Sequence, residues 1–241
     1  MSELNELLNS FSRIVFLTGA GVSTASGIPD YRSKNGLYSD GQTPEYLLSA
    51  TCLRKEPERH YQFVKEKMFY PQAKPNVIHE KMALFAKEKN ARVITQNVDG
   101  LHSKAGTPQN DLVEFHGSLY RVFCQKCGRS IEWSKYLEDM HHEGCGGILR
   151  TDIVLYEEPI RREVLERAVE IVSNADLIVV CGTSLVVYPF AGLIEYASKD
   201  AKIVAVNKEK IPLPENAELI IGDAKEVFEE VYLEKNVQLC A

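Results

Sequence analysis

Two residues separate Cys124 from Cys127, and after an interval of fourteen residues His142 and Cys145 repeat that spacing. Paired thiolate and imidazole ligands separated by a loop are how a ribbon holds zinc. Glycines follow each pair, Gly128 after the first and Gly146-Gly147 after the second, as tight metal knuckles need. Four protein ligands leave no open position, so one structural Zn2+ is expected, not a catalytic one. A lobe of about thirty residues buries too little apolar surface to fold alone, which gives a metal staple its purpose. His141 could substitute for His142, and the alternative is a site that has lost its metal.

A second candidate is FLTGAGVSTASGIPDYR, from Phe16 to Arg32. Gly19 and Gly21 would let backbone N–H groups approach a phosphate, and Ser23 or Thr24 could add hydroxyl donors. The pattern departs from a dehydrogenase fingerprint. Thr24 stands where the third glycine belongs, and the acid about twenty residues on is matched only by Asp40, in the loop YSDGQTP. The segment GIPDYRSKNGLY, with Tyr31, Arg32 and Tyr38, is too long and aromatic for a plain connection and reads as a functional loop. In NDLVEFHGSLY, His116 is either a general base or a structural histidine, and spacing does not choose. Cys52, Cys181 and Cys240 have no partners in sequence and read as small apolar residues.

These groups need a frame. Short β-rich runs at 14–17, 93–95, 177–180, 203–206 and 219–221 are apolar on both faces, as in a covered parallel sheet. Helical patterns at 77–89, 163–173 and 190–198 lie between them. The fold class expected is α/β: a Rossmann-like doubly wound parallel sheet with a smaller inserted lobe containing the zinc-ribbon module. Residues 1–29, 76–116 and 150–241 would form the Rossmann-like domain, and residues 30–75 and 117–149 the small lobe. Small or polar residues follow each strand: Gly19-Ala20-Gly21, Gln96-Asn97-Val98-Asp99, Gly182-Thr183-Ser184, Asn207 and Gly222-Asp223-Ala224. Ligands of open α/β sheets bind outside the carboxyl ends of the strands. Turn chemistry alone explains one or two of these tails but strains at TQNVDGLH.

The chain has 241 residues and a net charge of -6, a poor match to the basic footprint of a dedicated nucleic-acid binder. The acidic, amphipathic start MSELNELL is no signal peptide, and no apolar run approaches a membrane span. The expectation is a cytoplasmic protein without membrane contact.

Taken in order, TGAGVSTASGIPDYR, TQNVDGLH, EFHGS, the paired metal ligands, CGTSLVVYP, VN and GDA resemble the sirtuins, the NAD-dependent protein deacylases, over essentially the whole chain. The resemblance implies that NAD is consumed as a co-substrate, so the missing ribose acid is unsurprising. It implies that Ala20, Gly21 and Thr24 hold the pyrophosphate, and that Tyr31 and Arg32 lie over nicotinamide and ribose. Gln96, Asn97, Val98 and Asp99 would line the nicotinamide pocket, with Asn97 and Asp99 also catalytic. Gly182, Thr183, Ser184, Asn207, Asp223 and Ala224 would hold the adenosine end. His116 would contact the cofactor and act as general base, and Val154, Leu155, Tyr156 and Val187 would bind substrate. The implied reaction removes acetyl groups from protein lysines, giving nicotinamide and O-acetyl-ADP-ribose. Acetyl-lysine-bearing proteins or peptides are the implied partners of a monomer.

The chain also departs from the family pattern. Tyr31 replaces the usual Phe, Tyr156-Glu157-Glu158 replaces Phe-Gly-Glu, and the metal set is Cys3His. Succinyl-selective members pair a Tyr with an Arg three residues on; here Tyr61 is followed by Val64, which implies a preference against acidic acyl groups. Within the family, long-chain deacylation or mono-ADP-ribosyl transfer are the alternatives. Outside it stand an NAD-sensing zinc-ribbon module without catalysis and an NAD-dependent dehydrogenase.

Overall fold

The computed structural model describes residues 2–30 and 44–234. Helix α1 (Glu3–Ser10) leads into strand β1 (Ile14–Thr18). Helices α2 (Pro44–Leu47), α3 (Ala50–Lys55) and α4 (Pro57–Lys67) follow, then α5 (Val77–Lys89), β2 (Arg92–Thr95), α6 (Leu101–Lys104) and β3 (Leu112–Glu114). Next come β4 (Gly117–Cys124), β5 (Ser130–Ile131), α7 (Trp133–Glu138) and β6 (Leu149–Ile153). The chain closes with α8 (Arg162–Ser173), β7 (Leu177–Cys181), β8 (Lys202–Asn207), β9 (Glu218–Ile221) and α9 (Ala224–Glu229).

Six strands form a parallel sheet in the order β3-β2-β1-β7-β8-β9. Counted within that sheet, the order is 3-2-1-4-5-6, the doubly wound arrangement whose switch point lies between β1 and β7. Its inner strands β1, β7 and β8 are apolar on both faces because both are covered. Ile14, Phe16, Val179 and Cys181 face a core built with α1, α5 and α9. Val15, Leu17, Ile178 and Val180 face the opposite core, with α8 and Phe190. Each buried Leu, Ile or Phe contributes about 2 kcal/mol of transfer free energy, so the two cores fix the register of the central strands.

Local signals set the helix ends. Asn76 caps α5 by accepting the Ile78 N–H at 3.0 Å, and its own N–H donates to His79 Nδ1 at 3.3 Å. Asn90, at φ 54°, stops the helix in the left-handed region. The α-helix expected over 190–198 is a 3-10 helix, Phe190–Tyr196. Pro189 precedes it, and Gly192 at its middle weakens α propensity while fitting beneath the Tyr188 ring.

A second, antiparallel sheet has the order β5-β4-β6. The boundary expected between residues 149 and 150 falls within β6, which is hydrogen-bonded to β4. Here the small lobe holds more than the sequence suggested. Tyr61, Val64, Met68 and Phe69 pack with Leu119, Val122 and Tyr136 into one core shared by the helices and the sheet. Tyr61 meets Tyr136 edge-on at 5.1 Å, and Phe69 stacks on Trp133 at 6.2 Å. The metal ligands are thus a clamp at one end of an existing core, not the lobe's sole support.

Those ligands converge. The donor atoms of Cys124, Cys127, His142 and Cys145 all lie within 4.8 Å of one another. Cys124 Sγ is 3.5 Å from Cys145 Sγ, and His142 Nδ1 is 3.3 Å and 3.2 Å from the Cys127 and Cys145 sulfurs. These separations match the edges of a zinc tetrahedron with bonds of roughly 2.0–2.3 Å. Gly128 and Gly146 take left-handed turns, φ 70° and 65°, beneath the two pairs. A side chain at Gly147 would place its Cβ 2.6 Å from Cys124 Sγ. His141 instead turns to Asp139, Nδ1 to Oδ1 3.2 Å, which leaves His142 as the imidazole of the set.

The residues present fit one closed zinc site, and elemental analysis is expected to find one zinc per chain. Cys145→Ala should lose it and lower the melting temperature by several degrees, with amide protection lost over 124–149 but retained around Tyr136. Because ligation needs thiolates and a neutral imidazole, release should become easier as pH falls. A metal-free chain with unchanged melting would contradict the assignment.

Candidate active site

The switch point between β1 and β7 is packed backbone on backbone. The Gly21 N–H donates to Gly182 O at 2.8 Å, and the Gly19 N–H donates to Cys181 O at 3.2 Å. A Cβ on Gly21 would stand 2.7 Å from Gly182 Cα, and one on Gly19 would stand 2.7 Å from Thr183 Cβ. Gly182 itself sits at φ 60°, with its missing Cβ 2.5 Å from the Val22 nitrogen. The glycines are required by this crossing of two turns, and Ala20 is left facing a cleft.

The turn after β2 locks onto both. The Gln96 N–H donates to Thr18 O at 2.9 Å, and Gln96 Nε2 donates to Thr183 Oγ1 at 2.8 Å. Asn97 Nδ2 donates to Gly19 O at 3.0 Å and to Ser23 Oγ at 3.1 Å. The Ser23 hydroxyl donates to Asp99 Oδ2 at 2.7 Å, and Asp99 Oδ1 accepts the Leu101 N–H at 2.8 Å. Burial pushes the Asp99 carboxyl upward, and the Ser23 hydroxyl and Leu101 N–H partly offset it. Ser23 is the residue that sequence reasoning underweighted. It is buried, and it joins the glycine turn to Asp99.

His116 occupies the step from one sheet to the other. The Phe115 N–H still donates to Thr95 O beside β2, and the next residue but one begins β4. Gly117 makes the step possible: at φ 82°, its Cβ would land 1.8 Å from Asp152 O. His116 Nδ1 lies 3.2 Å from the Gln96 carbonyl oxygen, which can only accept, so Nδ1 carries the proton in the neutral ring. Nε2 is then the lone-pair nitrogen. Burial lowers the pKa of the ring below its ordinary value, against the opposing pull of the Gln96 carbonyl, and favours this neutral form.

A cleft of about 380 Å³ lies outside these strand ends. Gln96, Asn97, Val98 and His116 line it with Ala20, Gly182, Thr183 and Ser184, and Val154, Leu155, Tyr156 and Val187 form its other wall. A smaller cavity of about 40 Å³ shares Ala20, Asn97 and Val98 and adds Ser23 and Asp99. The wall strand is held by the Val154 N–H on His116 O at 2.9 Å and the Tyr156 N–H on Leu48 O at 2.9 Å. Gly21, Thr24, Asn207, Asp223 and Ala224 line neither cavity. Thr24 Oγ1 donates to Gly21 O at 3.0 Å, while Asn207 and Asp223 lie at the ends of β8 and β9, Asp223 capping α9 through the Lys225 N–H at 2.8 Å. Tyr31 and Arg32 lie outside the described residues. Tyr61 and Val64 belong to the buried small-lobe core, not to the cleft. The sequence did not point to Leu48, Met68, Ile160 or Tyr188, which also line the cleft.

An apolar and polar cleft of this size at a switch point fits a dinucleotide: turn backbone for phosphates, carboxamides for a carboxamide, hydroxyls for sugar. The contact at Gly117 generates a direct test of how His116 is placed. Gly117→Ala is expected to destabilise the fold by at least about 2 kcal/mol, because the Cβ meets backbone at a left-handed position. Chemical denaturation checks this, and a wild-type midpoint would contradict the geometry.

The model of the Sir2 family matches residues 19–189. An NAD-dependent protein deacetylase of Listeria monocytogenes is 54% identical over 231 residues, covering 96% of this chain and 100% of that protein. One from Lactiplantibacillus plantarum is 50% identical over 224 residues, covering 93% and 95%. Among solved structures, a Sir2 complex with a deacetylated p53 peptide and 3'-O-acetyl ADP ribose superposes with a TM-score of 0.85 at 34% identity, covering 94% of this chain and 95% of that one. A Sir2 complex with a p53 peptide and NAD+ gives 0.82 at 34% identity, covering 95% of each. With matches of this extent to sequence and fold alike, the chain belongs to the Sir2 family.

Proposed function

We propose that this chain is an NAD-dependent protein-lysine deacetylase that moves the acetyl group from lysine to ADP-ribose and releases nicotinamide. The observation that carries the reading is the neutral His116, its Nδ1–H committed to Gln96 and its Nε2 left to accept a proton, in a cleft shared with the Asn97 carboxamide. When bound, NAD supplies an electrophilic ribose carbon and the hydroxyls that accept the acyl group.

His116 Nε2 takes the proton from a sugar hydroxyl as general base. Asn97 and Asp99, tied together through Ser23, hold the nicotinamide carboxamide, with Gln96 and Val98 beside them. Ala20, Gly21 and Thr24 take the pyrophosphate end, and Gly182, Thr183, Ser184, Asn207, Asp223 and Ala224 the adenosine end. Val154, Leu155, Tyr156 and Val187 bind the peptide and its acylated lysine. Among the described residues the cleft's lining offers no Lys or Arg to an acidic acyl chain, and burying an unpaired carboxylate is costly. The six-stranded parallel sheet and its helices serve as the NAD-binding domain, and the lobe that carries β4, β5 and β6 stands beside it. Among the described residues no helix is long and apolar enough to cross a membrane. Thiolate metal ligands suit a reducing compartment, and we place the protein in the cytoplasm.

The test is incubation with NAD and an acetyl-lysine peptide, read by mass. Nicotinamide and acetylated ADP-ribose are expected in equal amounts to the free lysine peptide, and a succinyl peptide should turn over more slowly. A rise in reduced-nicotinamide absorbance instead would contradict the reading. His116→Ala should cut turnover on the order of a hundredfold or more with NAD binding retained. Because burial lowers the His116 pKa, the base should stay active below pH 6.5, and kcat/KM should fall only as pH drops through that lowered value. An acid limb above 6.5 would remove His116 from the role.

A further inference from the structure

The fully charged side chains among the described lining of the cleft are Asp30, Glu157 and Glu158, all acidic. They are not equivalent. Glu158 is answered by Arg150, whose two terminal nitrogens reach its two carboxylate oxygens at 2.7 Å and 2.6 Å. It also accepts the Leu155 N–H at 3.0 Å, so it serves to hold the wall. Glu157 accepts the Thr51 N–H at 2.9 Å through one oxygen and has no cationic partner among the described residues. Its backbone lies at φ 74°, where a residue other than glycine is strained. Its neighbour Tyr156 is fastened on both sides, its N–H to Leu48 O at 2.9 Å and its carbonyl to the Ala50 N–H at 3.1 Å. The carboxylate is therefore presented from a fixed position on the wall, exposed to solvent and, among the described residues, facing no cation of its own. Tyr188 also lines this cleft and is 70% exposed, an aromatic face of the kind that takes a guanidinium or ammonium group.

We propose that Glu157 is a specificity-determining residue that makes this enzyme favour acyl-lysine peptides carrying an arginine or lysine beside the modified residue. The inference rests on the deacetylase reading. An acylated lysine is neutral, so the cleft's negative field acts on the flanking residues and not on the reacting side chain. The Thr51 hydrogen bond holds one oxygen and leaves the other for the incoming cation.

The experiment uses the full chain with NAD and three acetyl-lysine peptides that differ only in having Arg, Ala or Glu beside the modified lysine. The wild type is expected to favour Arg over Glu about threefold to fivefold in kcat/KM at low salt, expressed in KM and shrinking at high salt. In Glu157→Gln, which keeps an acceptor for the Thr51 N–H, the Arg-to-Glu ratio should approach one. A purely structural role would slow all three peptides alike and leave the ratio intact. A ratio unchanged in the variant, or no Arg preference in the wild type, overturns the proposal while turnover of the Ala peptide still upholds the deacetylase reading. Absence of turnover with every peptide overturns both.

Discussion

Two turns meet at the centre of this molecule with no side chain between them. The turn after β1 and the turn after β7 touch through Gly19, Gly21 and Gly182, and a single Cβ on any of the three would stand within 2.7 Å of its neighbour. That contact brings the carboxyl ends of the two central strands together at the point where the winding of the sheet reverses. The turn after β2 then spans both, with Gln96 on Thr183 and Asn97 on Gly19. The polar lining of the cleft that these turns supply is therefore a consequence of strand packing.

The second constraint is the passage between the sheets. The chain leaves β3 and enters β4 through His116 and Gly117, so the proposed base sits on the seam between a Rossmann-like sheet and the small lobe. Its backbone carbonyl accepts from Val154 on the substrate wall, and its ring reaches Gln96 on the floor. The lobe contributes a wall and carries a metal clamp at its far end; none of the four metal ligands lines the cleft. Binding of the metal and binding in the cleft are thus coupled only through the stability of the lobe and its aromatic core.

The sequence made β1, β2, β7 and β8 readable because burial on both faces leaves uninterrupted apolar runs, while β9 at the sheet edge was readable from the run at 219–221 alone. α5 was equally plain, since its face of Ile78, Met82, Phe85 and Ala86 runs between two asparagine caps. Strand β3 was missed because three residues carry too little periodicity. The 3-10 winding at Phe190–Tyr196 was missed because apolar spacing at 190, 193, 194 and 197 suits an α-helix as well. The metal ligands were legible in full, as their spacing is local. The role of His116 was not: His60 also sets Nδ1 against a backbone carbonyl, and what distinguishes His116 is its place in the cleft lining beside Gln96, twenty residues away in sequence. Ser23 was hidden for the same reason, its partners lying 74 and 76 residues away. Tyr61 and Val64 turn inward to the lobe's core, so the described lining of the cleft bears on acyl choice and these two residues do not.

The glycine contact can be tested apart from catalysis. Gly21→Ala places a methyl group 2.7 Å from the Gly182 backbone, which cannot yield without parting the two turns. Calorimetric titration of this variant with NAD, with folding followed by circular dichroism and zinc content, is the most direct measurement. The expected result is a folded, zinc-loaded protein whose NAD affinity has fallen at least about tenfold, equivalent to about 1.4 kcal/mol. A folded variant that binds NAD as tightly as the wild type would show that the crossing of the two turns does not build the site.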